Sequence, residues 1–251
     1  MRLYYIDERE SARYHVRSAL GVDAERWNDL FRAVRDWRQE LRRRYRIPVT
    51  VELLPFDLLS PREPAGCEEG DGWVSPEEGV DIFRGGLRLL DDASRRGGGI
   101  ELINVCLDKQ GRGRTDEVSL GRLLTRINTS AAGADRHAFL IFDAVQEEPI
   151  TRLYRRLRAH NPIPSRYEAW EDGSPTRNIP LDRVIGGPAF RSAEDDHLLQ
   201  LAGFAAHSLL LQERGVEAVG EDRDLARAFG ILDHILNREA SRRDPQGVVR
   251  R

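Results

Sequence analysis

Two short apolar runs, each ending in an acid, stand out in the pattern of hydrophobic and polar positions. Residues 3–6 are followed by Asp7 and Glu8, and residues 139–142 are followed by Asp143. A continuous apolar run of this length is typical of a strand that is covered on both faces. A carboxylate held at the end of such a strand costs free energy unless a cation meets it. The pattern therefore predicts a carboxylate cluster that holds a divalent cation. For either strand alone, a solvated turn is an equal alternative.

Apolar periodicity divides the rest of the chain into further strands and helices. Alternating or continuous apolar residues predict strands at 14–22, at 49–54 with Glu52 in the middle, at 100–107, and a short edge strand within 185–191. Spacings of three and four predict helices at about 27–45, 76–97, from 115 onwards, 149–158, 192–212 and 222–238.

Strands and helices mixed in this way predict an α/β fold with a mixed central sheet flanked by helices. No linker divides the 251 residues, so a single domain over residues 1–251 is expected. We expect a helical C-terminal extension at about 220–240. The arginine-rich tail at 241–251 is expected to be frayed.

The most apolar of the predicted helices carries a polar stripe. Asp196, Gln200, Gly203 and His207 are spaced four, three and four residues apart, which places them on one helical face. Just before them, residues 192–195 fit a capping box, in which Ser192 would cap the helix. Two interpretations of the stripe are open. Either it faces a water-filled cleft, or its members are bonded to one another and to the backbone.

Composition and charge restrict the class of protein. The formal net charge is only −3 although 32% of the residues are charged, so nucleic-acid binding would need a local basic patch. Cys67 and Cys106 have no metal-ligand spacing, which favours a reducing cytoplasm. No apolar run reaches 18 residues, and charges begin at Arg2, so neither a membrane segment nor a signal peptide is expected. The sequence predicts a cytoplasmic protein.

Two basic helical segments are the candidate nucleic-acid contacts. Arg42 and Arg43 lie near the C-terminal end of the first predicted helix, and Arg152 and Arg155 lie on the helix at 149–158. Cations at a helix C-terminus also interact favourably with the helix dipole. A solvated basic end is therefore the competing interpretation for the first pair.

Several short motifs, taken in order, resemble the DUF3800 family of prokaryotic proteins. Its members open with a strand that ends in Asp-Glu-Ser, as residues 4–8 do up to the serine, and have a tryptophan near the start of the next helix, as Trp27 is here. A later strand ends in Ile-Ile-Asp-Glu and is matched by residues 140–143. Near the end, residues 188–192 and 199–203 match the last two motifs. The likeness covers residues 2 to about 212.

The resemblance implies a ribonuclease H-like fold with acids on the first and fourth core strands and on the last helix. Such acids bind two divalent metal ions, Mg²⁺ or Mn²⁺, which activate a water and stabilise the leaving oxygen of a phosphodiester. Carried over to this chain, Asp7 and Asp143 are the metal ligands and catalytic residues, with Glu8 beside them. Glu52 corresponds to a glutamate that the family often follows with a histidine, although a leucine follows it here.

Three departures from the family pattern fall within the site. The helix acid is replaced by Gly203, the glutamate after the second strand acid by Ala144, and the serine of the opening motif by Arg9. Asp196 lies on the same face as Gly203 but roughly 10 Å away, at about 1.5 Å per residue. His207 is one turn beyond Gly203. Both are candidate replacement ligands, and a semi-buried histidine with satisfied bonds is the alternative for His207.

Two functions follow from these patterns. The first is a divalent-metal-dependent nuclease or related phosphodiester hydrolase, with Glu52 or Asp196 completing the site of Asp7 and Asp143. The second is a catalytically weakened binding module in a mobile-element or phage-defence system. The first would act on nucleic acid, DNA or RNA, and the second would bind nucleic acid or a protein partner. The survival of both strand-end acids favours the enzyme, and the loss of two family acids favours the module.

Overall fold

A five-stranded mixed sheet lies at the centre of the computed structural model, which describes residues 1–60, 74–110, 115–165, 169–215 and 223–250. The strands are β1 (Arg2–Glu10), β2 (Tyr14–Asp23), β3 (Ile100–Asp108), β4 (Ala138–Asp143), β5 (Pro162–Pro164), β6 (Thr176–Asn178) and β7 (Ala189–Arg191). The central sheet has the order β3-β2-β1-β4-β7, and β5 pairs with β6 in a separate two-stranded sheet. In the central sheet β2 is antiparallel to β1 and β3, whereas β4 is parallel to β1 and β7.

Helices cover both faces of the sheet. They are α1 (Trp27–Tyr45), α2 (Pro55–Leu59), α3 (Pro76–Gly97), α4 (Thr115–Gly133), α5 (Glu147–Ala159), α6 (His197–Arg214) and α7 (Arg223–Ala226). Successive side chains of a strand point to opposite faces. Tyr5 accordingly packs with α1, α3 and α6, while Tyr4 and Ile6 pack with α4 and α5. The chain is therefore an α/β protein with a mixed central sheet and flanking helices, as the apolar pattern predicts.

Local sequence signals explain several element boundaries. Ser75 and Glu78 form a reciprocal capping box at the start of α3, and Pro76 occupies its first turn. The helix ends at Gly97 and is followed by the C-cap Gly98, whose φ of 63° suits a residue without a side chain. At the start of α1, the indole of Trp27 donates to the hydroxyl of Tyr5 at 2.7 Å, which fixes this helix against β1. Among the described helices, none combines the length and the apolar run needed to cross a bilayer.

The strand predicted at 49–54 is wrong, because these residues form a turn and an irregular segment. Arg38 of α1 is buried, and its Nη2 donates to the backbone carbonyls of Pro48, Val49 and Val51. Those carbonyls are therefore bonded to a side chain and not to a neighbouring strand. Glu52 accordingly lies on a loop that a long-range contact holds in place.

The C-terminal predictions also need correction. In place of one helix at 222–238, the described part contains α7 followed by a 3₁₀ segment, Ala228–Ile235. The described part of the tail, up to residue 250, is not frayed: Val248 and Val249 are buried, and Val249 forms a parallel bridge with Val105 of β3. An edge strand leaves backbone groups unpaired. The tail satisfies some of them on β3, which explains its order.

Candidate functional site

Asp7 and Asp143 lie next to each other on adjacent strands. Asp143 is the last residue of β4, whereas β1 continues past Asp7 to Glu10, so the prediction that the first strand ends at Asp7 is wrong. The parallel register pairs Tyr5 with Ile141 and Ile6 with Phe142, so the two acids follow as the next pair. Each acid is two residues beyond a member of the cluster that contains α6, so both point to that face. Asp143 contributes to raising the pKa of Asp7, because like charges at close range disfavour ionisation. The prediction that these two strands are neighbours in the central sheet is confirmed.

Arg9 supplies the positive charge at this site. It is two residues beyond Asp7, on the same face of β1, and its Nη1 lies 2.9 Å from each carboxylate oxygen of Asp7. The same nitrogen donates to the backbone carbonyl of Glu8 at 2.6 Å. Burial nevertheless raises the pKa of Asp7 to about 6, a shift that Arg9 opposes. The strand end therefore carries its own counter-cation.

Gly203 of α6 lies directly against this pair. A Cβ added at Gly203 would overlap Oδ2 of Asp7 and Nη2 of Arg9. A glycine in a helix interior costs about 1 kcal/mol relative to alanine. The absence of a side chain here lets the ion pair fit between β1 and α6. The guanidinium thus reaches the position where the family pattern has a helix acid.

Two loops bring further acids towards the strand ends. Gln200 holds both loops, because its Oε1 accepts from the backbone N–H of Leu53 at 3.2 Å and its Nε2 donates to the carbonyl of Ala193 at 2.7 Å. The pKa of Glu52 is raised, first by burial and then by the charges of Asp143, Asp7 and Glu194. These acids therefore lie within electrostatic range of one another.

Glu194 is a member of this acidic site that the sequence did not reveal. It belongs to the loop between β7 and α6, and the capping-box pattern at 192–195 concealed it. The actual cap of α6 is Asp196, whose carboxylate accepts from the N–H groups of Leu198 and Leu199. The prediction that Ser192 caps the helix is wrong.

Glu8 lines the same cleft as Asp7, but its carboxylate does not join that of Asp7. It follows Asp7 directly in β1, so its side chain points to the opposite face of the sheet. There it contacts Arg17, and one of its oxygens accepts from Gln146 Nε2 at 2.8 Å. Because successive side chains of a strand alternate between its two faces, the sequence alone was sufficient to predict that Asp7 and Glu8 point in opposite directions.

Asp196 and His207, the two candidate replacement ligands, make other contacts. Asp196 caps α6 and is also paired with Arg191 at 3.3 Å, so its oxygens are already used. His207 is buried against the edge of the Phe83 ring, with centroids 5.9 Å apart. Its burial, with a contribution from the nearby charge of Arg9, lowers the pKa of His207 to about 4, which keeps the imidazole neutral. For Asp196 and Gln200, the interpretation of the stripe as residues bonded to backbone is correct.

The four arginines that the sequence suggests as nucleic-acid contacts are exposed. Arg42 and Arg43 lie at the end of α1, where Arg43 pairs with Glu40 at 3.1 Å, and Arg152 and Arg155 lie on α5. None of them lines the cleft of about 260 Å³ at the ends of β1 and β4. That cleft is lined by polar residues of both faces together with a few apolar ones: Ile6, Asp7, Glu8, Arg9, Arg17, Phe142, Asp143, Val145, Gln146 and Ile150.

The carboxylate oxygens near Asp7 are the type of ligand that Mg²⁺ and Mn²⁺ prefer. Their present arrangement does not allow a metal ion to bind, because Arg9 binds both oxygens of Asp7. In the part of the chain that the structure describes, the one group of three potential ligands at metal-binding spacing is Glu8, His15 and Asp116. Metal binding at Asp7 and Asp143 therefore requires Arg9 to move.

No family model matches the chain, and a search of curated proteins finds no match.

Proposed function

We propose that this protein is a ribonuclease H-like phosphodiester hydrolase, a nuclease whose metal site Arg9 holds closed. The observation that carries the proposal is the pairing of β1 with β4, which sets Asp7 beside Asp143 on one face. The DUF3800 resemblance implies acids on the first and fourth strands, facing the last long helix. The mixed sheet, with α6 packed on β1 and Gly203 lying against Asp7, supports that assignment.

The donor set supports one cation and not two. Asp7 and Asp143 would hold it, and Glu52 is a further carboxylate that is coupled electrostatically to both. Gly203 contributes no ligand, so the helix has no acid to complete a second site. A bound Mg²⁺ or Mn²⁺ would polarise a phosphoryl oxygen and lower the pKa of a coordinated water.

The residues of the chain have distinct parts in this proposal. Arg9 neutralises Asp7 while the site is closed and, once displaced, is a cation within reach of a phosphate oxygen. Because the pKa of Glu52 is raised, this side chain keeps its proton to a higher pH than an exposed glutamate does. Such a group suits proton transfer at a reacting oxygen. Asp7, with a pKa of about 6, is mainly ionised above that pH.

The variant Arg9→Ser tests the proposal, because it removes the competing cation and restores the family residue. We expect Mn²⁺ affinity to rise by about tenfold or more, which corresponds to ~1.4 kcal/mol. Isothermal titration would measure the affinity, and cleavage of single- and double-stranded DNA and RNA would be followed in parallel. Adding Gly203→Asp should be tolerated better in the Arg9→Ser protein than in the wild type, because one of the two overlapping groups is then absent.

Matched variants make the result specific. Arg13→Ser removes an arginine that pairs with Asp108 at 2.9 Å, away from α6, and should leave Mn²⁺ affinity unchanged. Asp7→Asn in the Arg9→Ser protein should abolish the gain. Equal Mn²⁺ affinity of the wild type and Arg9→Ser would contradict the closed-site proposal.

A catalytically weakened nucleic-acid-binding module is the second candidate. The close fit of Arg9 against Gly203 favours it, because this packing replaces a metal ligand with a permanent ion pair. It would be the better account if neither the wild type nor Arg9→Ser bound Mn²⁺ at Asp7 and Asp143 or cleaved nucleic acid. Binding would then depend on phosphate contacts, so it should weaken with salt and with the substitutions Arg152→Glu and Arg155→Glu.

A further inference from the structure

A second cluster of potential ligands lies on the opposite face of β1 from Asp7. Glu8 of β1, His15 of β2 and Asp116 of α4 each offer one ligand atom, and these atoms lie within 4.8 Å of one another. The residues are far apart in the sequence, and the sheet together with the start of α4 brings them together. The cluster uses ligands different from those of the site in the proposed function, because the side chains of Asp7 and Glu8 point to different faces, although both residues line the same cleft.

The buried imidazole of His15 is the independent observation that points to a ligand. His15 is 3% exposed, and its Nε2 has no hydrogen-bond partner. This nitrogen lies 3.7 Å from Oε2 of Glu8, so it is directed into the cluster. A buried polar atom without a partner costs about 1–3 kcal/mol. An ion or a water bonded to Nε2 would remove that cost.

The charges around His15 come from several elements. Nη2 of the buried Arg17 contacts both Glu8 and Asp116, while the Nε of Arg17 has no partner. On the other side of the ring, Nδ1 of His15 lies 3.7 Å from Glu10, which also pairs with Lys109 at 3.1 Å. Three acids thus surround the imidazole and are balanced by two cations.

We propose that Glu8, His15 and Asp116 form a binding site for a divalent transition-metal ion of the Mn²⁺ or Zn²⁺ class. One imidazole nitrogen with two carboxylates suits these ions, whereas Mg²⁺ favours oxygen ligands alone. Burial lowers the pKa of His15, which keeps the ring in its neutral, ligating form.

Entry of the ion requires Arg17 to turn aside. Its Nη2 now bridges the two carboxylates and supplies the charge that the metal would supply. Glu8 and Arg17 both line the cleft at the ends of β1 and β4, which gives the ion a route from solvent. The metal and the guanidinium therefore compete for Glu8 and Asp116.

Mn²⁺ is the probe for the test, because pulsed electron paramagnetic resonance detects a nitrogen ligand directly. The experiment uses the full chain carrying Asp7→Asn, so that the other candidate site is removed. We expect one bound Mn²⁺ with a nitrogen coupling. His15→Gln should remove the coupling and weaken the affinity by about tenfold or more. Arg17→Met should strengthen binding, because it removes the competing cation.

His160→Gln is the matched control, since His160 is exposed on the far end of α5 and its loss should change neither measurement. Circular dichroism of each variant confirms that it is folded. The proposal is overturned if the Asp7→Asn protein shows no nitrogen coupling at millimolar Mn²⁺, or if the coupling survives in His15→Gln. The first result would assign a water to Nε2 of His15. Because the test is made without Asp7, failure of the nuclease proposal does not affect it.

Discussion

Replacing Asp7 with asparagine is expected to raise the free energy of unfolding at pH 8 by up to ~3 kcal/mol. The pKa of Asp7 is raised from 3.8 to about 6, mainly by burial, so the folded protein holds this proton more tightly than the unfolded chain does. Between these two values the folded state binds more protons, and its stability falls as the pH rises. A shift of this size corresponds to ~3 kcal/mol at full ionisation. Arg9 loses its partner in the variant, so the measured gain falls below that limit.

The pH dependence distinguishes this effect from a general change in packing. The gain from Asp7→Asn should be fully present above pH 6 and fall to a small remainder near pH 4, because Asp7 is protonated in both states only below its unfolded pKa of 3.8. His207 acts in the opposite direction: its pKa is lowered to about 4, so its stabilising contribution is lost as the pH falls below 6.5. Subtracting the wild-type curve from the variant curve removes that contribution.

Urea denaturation at pH 4 and pH 8, with a chelator present, would measure the effect of Asp7→Asn. Asp36→Asn is the control, since Asp36 is exposed on α1 and its substitution should change the free energy of unfolding by at most about 0.5 kcal/mol. A destabilised Asp7→Asn protein at pH 8, or an equal gain at both pH values, would mean that the charge of Asp7 is not buried as described.

Phe204→Ala should destabilise the protein by about 3–5 kcal/mol. The Phe204 ring is fully buried in α6 and contacts Phe83 of α3 and Trp37 of α1, with centroids 5.3 and 6.4 Å apart. It also fills the space beside Gly86, where a Cβ would lie 2.9 Å from the ring. Truncation therefore opens a cavity among three helices. Thermal and urea denaturation would measure the loss.

Phe56→Ala provides the comparison for Phe204→Ala. Phe56 is 65% exposed, so its truncation should cost at most about 0.5 kcal/mol. If Phe204→Ala cost no more than Phe56→Ala, α6 would not be packed against α1 and α3 as the structure has it. The position of Gly203 relative to Asp7 would then also be in doubt.

The central strands and the strand-end acids were predictable, because local patterns determine them. A continuous apolar run followed by an acid marked both β1 and β4. The separation of Glu8 from Asp7 was also present in the sequence, in the simple alternation of a strand. The capping-box pattern at 192–195 led to a wrong start for α6, because by local rules Asp196 could cap this helix equally well.

Features that depend on long-range contacts were not predictable. The segment at 49–54 has strand-like periodicity, but Arg38 binds its carbonyls from another element. The tail has the composition of a frayed terminus, but Val249 pairs with β3. Arg9 was visible as a departure from the family pattern. That its guanidinium turns back onto Asp7, in space that Gly203 leaves free, follows only from the packing of α6.

A crystal of Arg9→Ser soaked in Mn²⁺ would show whether Arg9 closes a metal site at Asp7. We expect an anomalous peak between the carboxylates of Asp7 and Asp143, and a weaker peak or none there in the wild-type crystal, where Arg9 binds both oxygens of Asp7. A peak of equal strength in both crystals would show that Arg9 does not close the site. The absence of any peak there in Arg9→Ser would contradict a metal site at these strand ends.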